Sequence, residues 1–238
     1  MLDRPGAGAK HRPMDWPALT DVAPGSAVPV LAPDEIHLWR LRGGARLTPR
    51  GISATAHLHL GRLLSAYAGS DRPLAIVRGA HGKPTAPEAG GIEFNLSHSG
   101  RHVVIAFARG QALGVDVEAV EGRHRSIMAI AQRFFAPEEA ATLARLDEAE
   151  RRLAFLRLWT CKEAVLKALG SGLHFGLDRL RFTLDDAGAP QAVRTVGAGT
   201  AVEDWQLQRW EASGETVAAL AWQGPPRRLR IGTIDVDG

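Results

Sequence analysis

The chain has 238 residues, 45% hydrophobic and 23% charged, enough for one large domain or two small packed halves. Its net charge of +3 and isoelectric point near 9.5 come without a long Lys/Arg run, which suits phosphate-rich ligands or an acidic partner and argues against nucleic acid. A single cysteine excludes an internal disulfide framework, and no apolar run reaches bilayer length, so the expectation is a soluble, cytoplasmic protein with no membrane partner.

Residues 1–33 carry six prolines and little periodicity, an extended lead-in. Ile36 to Leu41 alternates and predicts a strand. Pro49 opens a helix to about Tyr67, with Ile52, Ala56, Leu60, Leu63 and Leu64 on its apolar face. His57 and His59 on that helix do not share a face, which argues against a metal pair. Leu74 to Arg78 predicts a short strand before the turn His81-Gly82-Lys83-Pro84. Ile92 to Leu96 predicts a strand that runs into Ser97-His98-Ser99-Gly100. His102 to Ala108 is a continuous apolar run, expected to be covered on both faces and to form a hairpin with Leu113 to Val117. Helices are predicted over Ser126 to Phe135, from Pro137 onward, and from about Arg151 to Leu169 before Gly170. Leu180 to Leu184, Trp205 to Trp210 and Val217 to Trp222 predict strands, 197–199 a loop, and 225–238 a solvated basic tail. Strands and helices fall in separate groups, so the class is α+β.

Four pieces carry chemistry. On a strand, Asp116 and Glu118 share one face while Val115 and Val117 share the other. Two carboxylates that close repel unless a cation sits between them, and a hard divalent ion is one answer; two solvated acids at a strand end is the other. Glu163 and Lys167 stand four apart on the last long helix, by themselves a surface ion pair. Lys162 falls on that helix's apolar stripe. Ser97 and His98 at a strand end are polar donors suited to a phosphate, and Lys83 adds a cation on a rigid turn.

The order Gly82-Lys83-Pro84, Phe94-Asn95-Leu96-Ser97-His98-Ser99-Gly100, Gly114-Val115-Asp116-Val117-Glu118, Arg133-Phe134-Phe135 and Trp159-Thr160-Cys161-Lys162-Glu163-Ala164 with Lys167 resembles the surfactin-type 4′-phosphopantetheinyl transferases. The resemblance spans about residues 82–173. It implies transfer of the phosphopantetheine arm of coenzyme A to a serine of an apo acyl or peptidyl carrier protein, with adenosine 3′,5′-bisphosphate released. It implies a monomer of two similar α/β halves packed as a pseudo-dimer, here 34–112 and 113–224, with the site in the cleft. By motif, Asp116, Glu118 and Glu163 would hold Mg²⁺, with Mn²⁺ equally suited to oxygen ligands. Glu163 would also take the serine proton and Lys167 would meet the pyrophosphate. Lys83, Ser97 and His98 would contact phosphate oxygens. Lys162 would do the same or snorkel out of its stripe. The basic segment before the first helix is shorter than in the family, which leaves Arg46, Arg50 and above all Arg62 for the 3′-phosphate. The basic run Glu121 to Arg125, and Arg133 to Phe135, would receive the carrier. The rivals are a non-catalytic binder of coenzyme A or carrier, and a metal-dependent diester hydrolase.

Overall fold

A computed structural model describes residues 14–19, 28–43, 48–79, 82–121, 126–195, 205–212 and 214–236. The expectations for Arg46, for 123–125 and for the loop at 197–199 lie outside them. The elements in order are β1 (Met14–Leu19), β2 (Glu35–Arg42), α1 (Pro49–Ala68), β3 (Val77–Arg78), β4 (Pro84–Thr85), β5 (Ile92–Ser99), β6 (His102–Arg109) and β7 (Leu113–Ala119). Then come α2 (Ile127–Phe134), α3 (Pro137–Arg145), α4 (Glu148–Leu169), β8 (Leu180–Leu184), β9 (Pro190–Thr195), β10 (Trp205–Ala212), β11 (Thr216–Gln223) and β12 (Arg228–Asp235).

Two sheets and two long helices stack in four layers. The first sheet has the order β1-β12-β2-β6-β5 and the second β10-β11-β7. Helix α1 packs Leu60, Leu63 and Leu64 against Trp39, Ile105 and Phe107 on the outer face of the first sheet. The two sheets meet through Ile36, Leu38 and Ala106 against Val115, Val117 and Leu220. Helix α4 covers the far face of the second sheet with Leu158, Ala164 and Val165 on Val217 and Ala219. Each long helix carries its own stop signals. Thr48 and Asp147 side chains accept from Gly51 N and Glu150 N, and Gly69 and Gly170 close the C-termini in the left-handed region.

The α+β class holds, and β6 is buried on both faces over Val103–Ala108, as its unbroken apolar run requires. Three expectations are corrected. The β6–β7 hairpin does not form: β6 pairs with β2 and β5, while β7 crosses to the second sheet and pairs with β11. The solvated tail is instead β12, which runs parallel to β2 from Arg228↔Glu35 to Asp235↔Arg42. β12 also pairs with β1, so the proline-rich lead-in contains a strand. The hairpin β8–β9 supplies a further strand where none was expected.

Candidate active site

β7 supplies the carboxylates. Its alternation drives Val115 and Val117 into the inter-sheet core, which leaves Asp116 and Glu118 on the face toward α4. The helix lies unusually close to that strand. A Cβ on Gly114 would stand 2.1 Å from Ala164 O, 2.4 Å from Ala168 N and 2.8 Å from Lys167 Cβ. Only glycine permits this approach, and the approach brings the polar side of α4 onto Asp116.

Lys167 Nζ donates to Asp116 Oδ1 at 2.6 Å, Ser97 Oγ at 3.1 Å and Val115 O at 3.1 Å. Ser97 Oγ in turn donates to Asp116 Oδ1 at 2.8 Å. The other carboxylate oxygen, Asp116 Oδ2, is buried with no hydrogen-bond partner among the described residues. Burial pushes the Asp116 carboxyl above its ordinary value, and the Lys167 ammonium and Ser97 hydroxyl oppose that rise. Glu163 sits one turn before Lys167 and is pushed up to about 7, first by burial, then by the negative charges of Asp116 and Glu118. Glu118 Oε2 accepts from Ser99 Oγ at 2.7 Å. The three acids therefore share one electrostatic neighbourhood. Among the described residues, no three acidic, His or Cys side chains form a ready metal cage.

Strand β5 closes the site from the other sheet. Asn95 Oδ1, Ser97 Oγ and Ser99 Oγ accept from Val115 N, Val117 N and Ala119 N at 3.0, 3.4 and 3.1 Å. Three side chains at every second position thus satisfy the free edge of β7. Ser97 is consequently part of the floor beneath Asp116. His98 points the opposite way and is exposed.

Lys83 Nζ donates to Leu113 O and Ala168 O, both at 3.2 Å, and clasps the start of β7 to the end of α4. Lys162 is corrected outright. It is fully buried, pairs with Glu139 at 2.8 Å, donates to Leu177 O and Leu180 O, and lies over the Phe135 and Phe182 rings. With its donors used inside the core, it reaches no substrate.

Beside the site, a cavity of 440 Å³ is walled by His57 and Leu60 of α1, Arg78, Pro84 and Leu96, with Asn95 joining it to β7. Arg62 is half-buried on α1 and is not among its described walls. Arg78 and His57 are the basic groups there, and no motif marked them in the sequence. The N-x-S-x-S alternation of Asn95, Ser97 and Ser99 was visible and is the signal for the β5–β7 seam.

Residues 112–221, which contain β7, α4 and all four charged residues of the site, match the family model of the 4′-phosphopantetheinyl transferase superfamily. Residues 112–221 belong to this superfamily. The chain is 37% identical over 108 residues to the 4′-phosphopantetheinyl transferase Sfp of Bacillus subtilis (strain 168), a match covering 45% of this chain and 46% of that protein. It is 31% identical over 159 residues to the 4′-phosphopantetheinyl transferase psf-1 of Bacillus pumilus, covering 63% and 66%. The match thus spans about half the length of the first of these relatives. The crystal structure of holo-ACP-synthase from Plasmodium yoelii aligns with 47% of this chain and 92% of that one, with a TM-score of 0.35 and 18% identity.

Proposed function

We propose that the protein transfers the 4′-phosphopantetheine group of coenzyme A to a serine of an apo carrier protein, with Mg²⁺. The observation that carries this reading is the electrostatic coupling of Glu163 to Asp116 and Glu118, with Lys167 paired to Asp116, inside the segment that matches the superfamily. The serine oxygen forms a bond to the nearer pyrophosphate phosphorus, the bond to the bridging oxygen breaks, and adenosine 3′,5′-bisphosphate leaves.

The donor set fits a hard divalent cation. Asp116 Oδ2 is buried without a partner among the described residues, and Glu163 is raised by burial and then by two neighbouring acids, so a cation there answers an unsatisfied oxygen and a repulsion together. Asp116, Glu118 and Glu163 would hold it, and it would neutralise charge on the transferred and leaving phosphates. Mn²⁺ satisfies the same oxygens. Glu163 would also take the serine proton, directly or through a water held at the site. Lys167 keeps positive charge at the floor, where the pyrophosphate carries negative charge. The cavity that Arg78 and His57 line, next to Asn95, suits the nucleotide end of coenzyme A; Lys83 precedes its wall residue Pro84, His98 follows Leu96 by two residues on β5, and Arg62 follows Leu60 by two on α1. Phe134, 43% exposed with Arg133 over its ring, offers an apolar and basic contact for an acidic carrier. The reading includes a monomer of two similar halves and a cytoplasmic location; no described helix is long and apolar enough to cross a membrane.

The test is incubation with coenzyme A, Mg²⁺ and a panel of apo carriers, followed by intact-protein mass. Asp116→Ala and Glu163→Ala should each lower transfer by at least about a thousandfold with the fold kept. Normal carrier modification by both variants would sink the assignment.

A further inference from the structure

A second cavity, of 540 Å³, opens between the two sheets on the other side of β7. Val117 lines it, while its neighbours Asp116 and Glu118 project from the opposite face of the strand toward α4. Its volume falls in the range of small-molecule pockets. Val104, Val117 and Trp210 make an apolar lining that continues the inter-sheet core.

The charged residues on that lining are mostly arginines. Arg42 is held by Asp235 in a two-point pair at 2.6 and 3.0 Å, and Arg101 by Glu215 at 3.2 Å. Arg40 has no ion-pair or hydrogen-bond partner among the described residues. Glu215 is the one acid among the described lining residues, so the cavity keeps an excess of positive charge. A guanidinium beside low-dielectric walls attracts an anion more strongly than one in open water, and its fork matches a carboxylate or phosphate. The apolar lining asks for something a bare inorganic ion lacks. We propose that this inter-sheet cavity binds a small organic anion: an acidic head, carboxylate or phosphate monoester, met by Arg40 and Arg101, on an apolar body seated against Trp210 and Val117. The site is separate from the transferase centre and does not depend on that reading.

The probe is 8-anilinonaphthalene-1-sulfonate, which joins a sulfonate to flat apolar rings, titrated into the full chain and followed by its fluorescence. One saturable site is expected. Arg40→Gln and Arg101→Gln should each weaken it about tenfold, the loss of one charge-assisted contact. Arg40 is exposed, so its variant should melt at the wild-type temperature. The uncharged analogue N-phenyl-1-naphthylamine should bind more weakly and ignore Arg40→Gln. Saturating coenzyme A should leave the sulfonate bound. Octanoate or phenyl phosphate should displace it, and whichever does so more effectively identifies the natural head group. Affinity unmoved by both arginine variants, displacement by coenzyme A, or displacement by neither anion overturns the proposal. Loss of carrier modification in the assay of the preceding section leaves this result untouched, so the two readings fail separately.

Discussion

Single residues in this protein are fixed by proton bookkeeping as much as by packing. His37 is fully buried and bonded on both ring nitrogens. The Trp39 indole can only donate, so the Tyr67 hydroxyl accepts from it at 2.8 Å and passes its own proton to His37 Nδ1 at 2.8 Å. His37 Nε2 then carries the ring proton and donates to Glu35 Oε2 at 3.2 Å. That chain calls for a neutral imidazole. Burial pushes its pKa from 6.5 down to about 4; Glu35 favours the charged ring and Arg230 opposes it. Below pH 6.5 the unfolded chain takes up a proton that the folded one refuses. The contribution is therefore whole above that pH and is lost as pH falls toward 4, at about 1.4 kcal/mol per pH unit and roughly 3 kcal/mol in all. Urea denaturation between pH 7 and pH 4 should show this slope, and His37→Gln should flatten it; an equally steep variant would place the slope on other groups. Lys83 poses a different question at the same scale. If its ammonium serves the two carbonyls it touches, Lys83→Met should lower stability by about 1–2 kcal/mol and leave the calorimetric affinity for coenzyme A within twofold. A tenfold weaker affinity would return it to a phosphate.

At the level of elements, α4 does two jobs on two faces. Glu163 and Lys167 face β7, and Lys162 turns inward to Glu139, whose carboxylate also accepts from Ala136 N and Phe182 N at 2.9 and 2.7 Å. One buried pair thus ties α4 to the start of α3 and to β8. Removing only the cation strands a carboxylate in the core, so Lys162→Met should cost roughly 3–5 kcal/mol. Lys162→Met with Glu139→Gln should recover part of that in the same urea experiment, and a double variant no better than the single one would show that packing alone is responsible. Much of this region was legible in the chain. The period-two valines of β7 and the four-residue spacing of Glu163 and Lys167 both follow from local geometry. Lys162 on an apolar stripe left two readings open because its partner Glu139 lies on another helix, a distance in sequence that periodicity does not see. The same limit hid Arg78, which faces its cavity only once β3, β5 and α1 have assembled. Gly114 was visible as a residue, but its need for contact with Ala164 and Ala168 was not.

For the whole molecule, the ends of the chain matter more than their composition suggests. Residues 225–238 look like a solvated tail because Pro225, Pro226 and the arginines outweigh the short alternation of Leu229 and Ile231. In the fold, β12 lies between β1 and β2 in the first sheet, although the preceding strand, β11, belongs to the second. It completes a seam that no local signal announces, since parallel pairing with β2 joins residues nearly two hundred positions apart. The seam is packed tightly. A Cβ on Gly232 would stand 2.4 Å from the Trp39 ring, Ile234 is fully buried in the α1 core, and Arg230 pairs with Glu35 at 2.8 Å. Trimming a solvated tail changes stability by less than about 0.5 kcal/mol, whereas removing an inner strand uncovers the apolar edge of the whole N-terminal layer. A chain ending at Gly224 should therefore lose the near-ultraviolet dichroism of Trp39 and its cooperative melt. Gly232→Ala, which keeps the strand and only overfills it, should unfold cooperatively with about 1–3 kcal/mol less stability. If the shortened chain melts as the full one does, β12 contributes nothing to holding the two sheets together, and the seam would have to be carried by β2 and β6 alone.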